Sequence, residues 1–228
     1  MFRTFGVTLR GKSHIKSKTA NQDCFLCGEN GRFMVVSDGV GSAEFSQIGS
    51  QMVCKATEQT TKSETEDIDS FIEVLHKHWC EYINKDMPKK FSATCLFCVE
   101  IANEVLIGRL GDGIIAVLFD DESKDLIFED NKQYSFSNIT DAMSVTLNMD
   151  QWKKYNISKT DIKAVIACTD GVSDSLKDDK KLTFFRDLYQ TYKECSNKNS
   201  IEDIREWLEE WPSDSGDDKT ITFMIKEG

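Results

Sequence analysis

Two segments of the sequence share one design. Phe33-Met34-Val35-Val36-Ser37-Asp38-Gly39 and Ala164-Val165-Ile166-Ala167-Cys168-Thr169-Asp170-Gly171 each bring a carboxylate to the end of an apolar run of strand length, with a glycine after it. That glycine lets the backbone turn and leaves its own carbonyl approachable. A third segment inverts the order, with Asp217 and Asp218 just ahead of the run Thr220 to Ile225, and a fourth is Leu110-Gly111-Asp112-Gly113. Any one Asp-Gly alone would read as a turn. The set reads differently, because hairpins do not need long buried strands that feed an aspartate ahead of a helix. Acids at the ends of several strands can converge on one rim of a sheet. There they repel one another and raise each other's pKa unless a cation lies among them. Oxygen donors select a hard cation, Mg²⁺ or Mn²⁺, over zinc.

The elements that must position these acids follow from apolar spacing. Residues 2–9, 23–27 and 32–37 read as strands, with a polar loop over 11–21 and a tight turn at Gly28-Glu29-Asn30-Gly31. Phe45, Ile48, Met52 and Val53 recur at helical spacing, and a second amphipathic helix starts near Ile68, with Phe71, Ile72, Leu75 and Trp79 on one side. Residues 93–100, 104–109, 114–119 and 125–128 read as four strands joined by short turns, hence an antiparallel meander. Residues 129–160 are polar and irregular, with Trp152 and Tyr155 as isolated anchors. A strand over 163–169, helices over 182–192 and 201–211, and a strand over 220–225 complete the chain. Strands, helices, a block of strands and more helices suit an α+β layered fold of antiparallel sheets, and the absence of repeats or linkers argues for a single domain over 1–228.

Composition excludes several classes. The 228 residues carry 28 Lys and Arg against 39 Asp and Glu, a net charge of −11, so nucleic acid and anionic lipid would be repelled unless the basic residues cluster, and no dense basic stretch is evident. Apolar runs such as 114–119 are far too short for a membrane span, and the first residues lack a signal-peptide pattern. A soluble cytoplasmic monomer is expected. The eight cysteines fit a reducing compartment. Cys24/Cys27 and Cys95/Cys98 have a zinc-like spacing, but both pairs lie in strand-like sequence, where residues three apart face opposite ways, and this favours packed thiols over zinc. His76 and His78 read as surface or packing residues. His14, in the opening loop near Lys18, has either a site role or a structural hydrogen bond.

Taken in order, these motifs resemble the metal-dependent protein serine/threonine phosphatases of the type 2C family, and among them the short bacterial members. Residues 11–25 resemble the family's opening motif, a basic residue ahead of an Asn-Glu-Asp-like triplet. Residues 36–41 resemble its Asp-Gly-x-Gly segment, Thr94 and Gly111-Asp112 its central Thr and Gly-Asp-Ser, Thr169-Asp170-Gly171 its Ser/Thr-Asp-Gly, and Asp217-Asp218-Lys219-Thr220 its closing Asp-Asn-x-Thr. The resemblance implies a four-layer αββα sandwich with two metals at one end. Asp38 would bridge both ions and Gly39 would offer its carbonyl to one. Asp170 and Asp217 would hold the other, Asp112 a weaker third, Asp23 would act through waters, and Lys18 would stand where an Arg grips the phosphate.

The implied chemistry is hydrolysis of phosphoserine and phosphothreonine in a phosphorylated protein, the product of a cognate Ser/Thr kinase. A pair of cations draws the dianionic ester to an acidic protein and lowers the pKa of a bridging water from 15.7 toward roughly 7. Four positions depart from the family's pattern. Lys18 offers a point charge in place of the two-pronged Arg grip. Gln22 replaces a Glu, Gly113 replaces a Ser (read as a mild change), and Val40 stands where some relatives have a His proposed as acid. Lys18 and Gln22 motivate a rival reading, a catalytically weak module that binds phosphorylated partners. A phospho-aspartyl hydrolase is disfavoured, since residues 36–40 lack its second Asp and the chain lacks its α/β alternation.

Overall fold

A computed structural model of the chain describes residues 1–84, 86–129, 141–212 and 216–227. One five-stranded antiparallel sheet has the order β1 (Phe2–Leu9), β10 (Lys219–Lys226), β9 (Ile162–Cys168), β6 (Ile114–Phe119) and β7 (Leu126–Phe128). The other runs β2 (Asp23–Cys27), β3 (Phe33–Asp38), β4 (Cys95–Ile101), β5 (Glu104–Leu110) and β8 (Lys153–Ser158). Helices α2 (Ser46–Thr60) and α3 (Ile68–Tyr82) cover the second sheet, and α5 (Lys181–Tyr192) and α6 (Asn197–Glu210) cover the first. This is the αββα layering that the resemblance implies.

Three apolar layers hold it together, and strand alternation assigns side chains to each. In β3, Val35 faces α2 and α3 and packs with Val53, Phe71, Leu75 and Trp79. Its neighbours Met34 and Val36 face the other way and meet Val117, Val165 and Met224 between the sheets. On the far side Ile166 and Phe223 pack against Phe185, Ile204 and Leu208. Central strands are buried on both faces, which is why they read as continuous apolar runs. Helix α3 is fixed at its start by Asp67, whose side chain accepts from the Ser70 amide while the Ser70 hydroxyl accepts from the Asp67 amide. Helix α6 is capped by Ser196, which accepts from the Asn199 amide, and so begins at Asn197, four residues before the apolar spacing begins at Ile201. Its last carbonyls, those of Leu208 and Trp211, accept from the buried Lys219 ammonium. No helix among the described residues is long and apolar enough to cross a membrane.

The meander expected over 93–128 does not form. β4 and β5 pair in one sheet, β6 and β7 in the other, and Gly111-Asp112-Gly113 carries the chain across. A short turn can connect packed sheets as readily as hydrogen-bonded neighbours, so turn length alone was not decisive. The segment expected to be irregular contains β8, an edge strand whose outward residues are polar and whose alternation is therefore weak, and Trp152 just before it is buried against Phe97. Residues 130–140 of that segment lie outside the described residues. The polar loop over 11–21 contains a six-residue helix, α1 (Lys12–Ser17), with no capping side chain and no buried residue to betray it.

Phe97 lies at the centre of the helix-covered layer, against Phe71 and Trp152 and over Gly108. Phe97→Ala should lower stability by about 3–5 kcal/mol, read as a shift of the urea midpoint; a loss below 1 kcal/mol would contradict this packing.

Candidate metal centre

Strand register assembles the acids. Asp23 opens β2 and Asp38 closes β3, and the two are direct partners across the antiparallel ladder. The Asp38 amide donates to Thr94 Oγ1 at 2.9 Å, and its carbonyl accepts from the Thr94 amide at 2.8 Å, so the start of β4 fixes the backbone from which Asp38 projects. Asp170 begins the short helix α4 (Asp170–Ser173) where β9 ends. Asp112 stands in the crossing between sheets. From these three separate segments, one carboxylate oxygen each of Asp38, Asp112 and Asp170 lies within 4.8 Å of the other two.

Asp23 is 7% exposed and its Oδ2 accepts from Thr169 Oγ1 (2.9 Å) and Thr220 Oγ1 (2.7 Å). Thr220 is the second residue of β10, and its amide donates to Thr169 Oγ1. One carboxylate thereby ties β2 to the ends of β9 and β10. The two glycines after the acids serve close approach. A Cβ on Gly171 would come within 1.8 Å of the Asp218 carbonyl oxygen, and one on Gly39 within 2.4 Å of the Ser46 carbonyl oxygen. Gly113 differs, because its φ of +92° is left-handed backbone and a Cβ there would meet the Cys168 carbonyl. The exchange of Ser for Gly, read from sequence as mild, therefore goes with a turn that a side chain would strain.

Asp217 is placed differently from the other acids. One of its oxygens groups with a ring nitrogen of His14 and an oxygen of Asp218, all within 4.8 Å of one another, although its charge still reaches Asp38 and Asp170. Asp218, which stands at the family's Asn, is named beside Asp217 in the sequence pattern but has no role assigned to it there. It is 1% exposed, and its two oxygens accept from the amides of Gly11 (2.7 Å) and Gln22 (2.6 Å) and bond His14 Nδ1 (2.8 Å). His14 thus has the hydrogen-bonded role that was one of its two alternatives. The doubled Asp217-Asp218 was the available signal. Lys18 is exposed at the end of α1 with a left-handed φ of 62°, and none of the described hydrogen bonds or ion pairs joins its side chain to the acids.

The other candidates stay outside the centre. Cys24 and Cys95 pack on the helix side of their sheet, Cys27 and Cys98 toward the second sheet, and all eight cysteines are free thiols. Burial pushes Cys27 up to about 12 and raises Cys95 and Cys98. Among the described residues, no group able to hold a metal includes a cysteine. His76 Nε2 bonds the Ser144 carbonyl and His78 Nδ1 the Thr60 hydroxyl.

Electrostatics favours a cation. Burial first, then the charges of Asp112 and Asp217, lifts Asp170 to about 7. Burial, then Asp23 and Asp170, holds Asp38 well above the ordinary carboxylate range. Burial also raises Asp23 to about 7 against the opposing hydrogen bond from Thr220. Buried oxygens that resist ionising together, all from carboxylates, fit a divalent hard ion.

The comparison with known sequences is decisive for the family. A family model described as protein phosphatase 2C matches residues 10–211. The chain belongs to the protein phosphatase 2C family. Its enzyme class is therefore the one expected from sequence, a metal-dependent serine/threonine protein phosphatase acting on phosphorylated proteins. A search of curated proteins returns no match. Among solved structures, the serine/threonine phosphatase PstP/Ppp of Mycobacterium tuberculosis is 16% identical with a TM-score of 0.68, covering 100% of this chain and 99% of that one. Stp1 of Staphylococcus aureus is 14% identical with a TM-score of 0.65, over 100% and 96%. PppA of Pseudomonas aeruginosa, described as a regulatory component of its type VI secretion system, is 12% identical with a TM-score of 0.68, over 98% and 97%. At these identities the likeness is one of fold.

The raised carboxylates set a pH dependence. A carboxyl whose pKa rises on folding, from 3.8 to about 7 for Asp23 and Asp170, binds its proton more tightly in the folded chain. The metal-free protein is therefore stabilised at low pH and loses that contribution as pH climbs through this window. Thermal unfolding in EDTA should give a lower Tm near pH 8 than near pH 5, and Mn²⁺ should raise Tm more at the higher pH. A metal-free Tm that rises over that range would contradict the assigned burial.

Proposed function

We propose that this chain hydrolyses phosphoserine and phosphothreonine in proteins, with Asp38, Asp170 and Asp217 holding two divalent ions and Asp112 a weaker third. The carrying observation is the meeting of Asp38, Asp112 and Asp170 from three distant segments, in a chain of this family. The PstP catalytic domain, solved in complex with two manganese ions, shares the fold, which supports Mn²⁺ or Mg²⁺ as the ion here. Such ions, when bound, supply a positive field for the phosphoryl oxygens and a water acidic enough to ionise near neutral pH.

The chain's own residues do the positioning. Asp38 is aimed by its two backbone bonds to Thr94, and Gly39, whose close approach to Ser46 leaves no room for a Cβ, would offer its carbonyl to one ion. Asp23 orients the floor through Thr169 and Thr220 and would act on bound ions through waters. Lys18 attracts the phosphate dianion as a point charge from the loop that Asp218 ties down. Val40 offers no proton to the leaving oxygen, so that proton comes from water. No side-chain nucleophile is needed.

The same reading makes a Ser/Thr kinase the opposing enzyme and takes residues 1–228 as one domain acting as a monomer. A cytoplasmic location is supported by eight free thiols.

Asp38→Asn and Asp170→Asn should each abolish Mn²⁺-dependent turnover of a phosphothreonine peptide while circular dichroism stays native, and EDTA should do the same to the wild type. Wild-type turnover in either variant would remove that residue from the site. A fully folded wild type that binds phosphopeptide yet never turns it over would instead favour the binding module. Lys18→Ala should raise KM with little change in kcat, because a solvent-exposed point charge contributes to capture more than to chemistry; an unchanged kcat/KM would exclude Lys18.

A further inference from the structure

The opening segment carries an unusual charge pattern. Residues 1–22 contain no Asp or Glu in a chain of net charge −11, and Arg10, Lys12, Lys16 and Lys18 fall within nine positions of it. Spacing by neutral residues hides this from a scan for dense basic runs, and α1 gathers it. All four are exposed, and none forms an ion pair among the described residues. Elsewhere some cations pair with acids, as Lys154 does with Asp69, Lys159 with Glu100, Lys163 with Glu122, Lys181 with Glu129 and Arg186 with Asp125, and others such as Lys77, Lys193 and Arg205 form no ion pair among the described residues, so what sets residues 1–22 apart is their lack of any acid.

The helix is also built against its own stability. Lys12 and Lys16 are one turn apart on one face, where like charges repel. Lys12 lies at the helix start, the unfavourable end for a cation, and near enough to Lys219 to repel it. His14 uses the opposite, inward face on Asp218, and the Ser13 amide donates to the Gly216 carbonyl. The anchoring fixes α1 beside Asp217 and leaves Lys12 and Lys16 facing water, with Ile15 (53% exposed) next to them.

We propose that the outward face of α1, with Lys12 and Lys16, is a docking face for carboxylate-rich sequence near the phosphorylated residue, so that the preferred substrates are phosphoproteins with Asp or Glu a few positions away. The proposal rests on the phosphatase reading. It favours protein over nucleic acid because the basic face is small, borders the site for the phosphorylated side chain, and belongs to an otherwise acidic molecule. α1 spans about 9 Å, so its length matches about three residues of an extended substrate segment.

The test uses phosphothreonine peptides of one core sequence flanked by Glu, Gln or Lys, with para-nitrophenyl phosphate as a substrate that has no flanking residues to meet Lys12 and Lys16. Wild type should favour Glu over Gln flanks by about three- to tenfold in kcat/KM at low salt, the effect of two exposed charge pairs, and lose the preference at about 0.5 M salt. Lys12→Glu/Lys16→Glu should invert the preference and leave nitrophenyl phosphate turnover unchanged. Turnover with equal Glu and Gln rates overturns the docking face alone. Fluorescence anisotropy on the same peptides separates the two readings, since tighter Glu-flanked binding without turnover overturns the phosphatase reading and keeps the face. If a single-stranded RNA oligonucleotide displaces the Glu-flanked peptide at lower concentration than an unlabelled copy does, the face belongs to nucleic acid and the proposal is overturned.

Discussion

Carboxylates packed into one end of a protein repel each other, and something must answer that repulsion. Oxygens of Asp38, Asp112 and Asp170 within 4.8 Å of one another would cost roughly 3 kcal/mol per fully charged pair at an effective dielectric near 20. Protons can relieve this at low pH, and divalent cations can relieve it near neutrality. The fold makes the second answer available by supplying oxygen donors from several segments, and the phosphatase chemistry of the family needs that same concentration of positive charge. Stability and activity thus draw on one interaction.

The backbone has to hold the acids together against that repulsion. It does so with neutral threonines: Thr94 grips the Asp38 backbone, while Thr169 and Thr220 donate to Asp23. Thr94 holds Asp38 within one sheet, while Thr169 and Thr220 tie Asp23 of that sheet to strand ends of the other. Asp218 performs a parallel task on the opening loop, accepting two amides and bonding His14. Both of its oxygens bond the protein itself, and Asp217 beside it accepts from the Asp218 amide.

Features that rest on strong local signals were legible in the sequence. Long apolar runs ending in Asp-Gly marked β3 and β9, and the spacing of Phe71, Ile72, Leu75 and Trp79 marked α3. Pairing across sheets was not legible, because Gly111-Asp112-Gly113 looks the same whether it closes a hairpin or crosses a sandwich. β8 escaped because an edge strand wet on one face has little alternation to show, and α1 because six polar residues have no apolar face. The amphipathic signal of α6 began only at Ile201, so its first turn, built on Ser196, was missed. Asp218 was hidden by its company: next to a candidate ligand it looked like the motif's neutral neighbour, and only burial reveals the bonds that define it.

The pairing of β1 with β10 along eight residues joins the earliest strand described to the latest. A ribosome delivers β1 long before its partner, and β9 also waits for β10 on one of its edges. The aspartate pair that anchors the opening loop arrives immediately before that final strand. A nascent chain therefore carries every other piece of the centre before β10 emerges, and the centre closes only when that strand slots between β1 and β9.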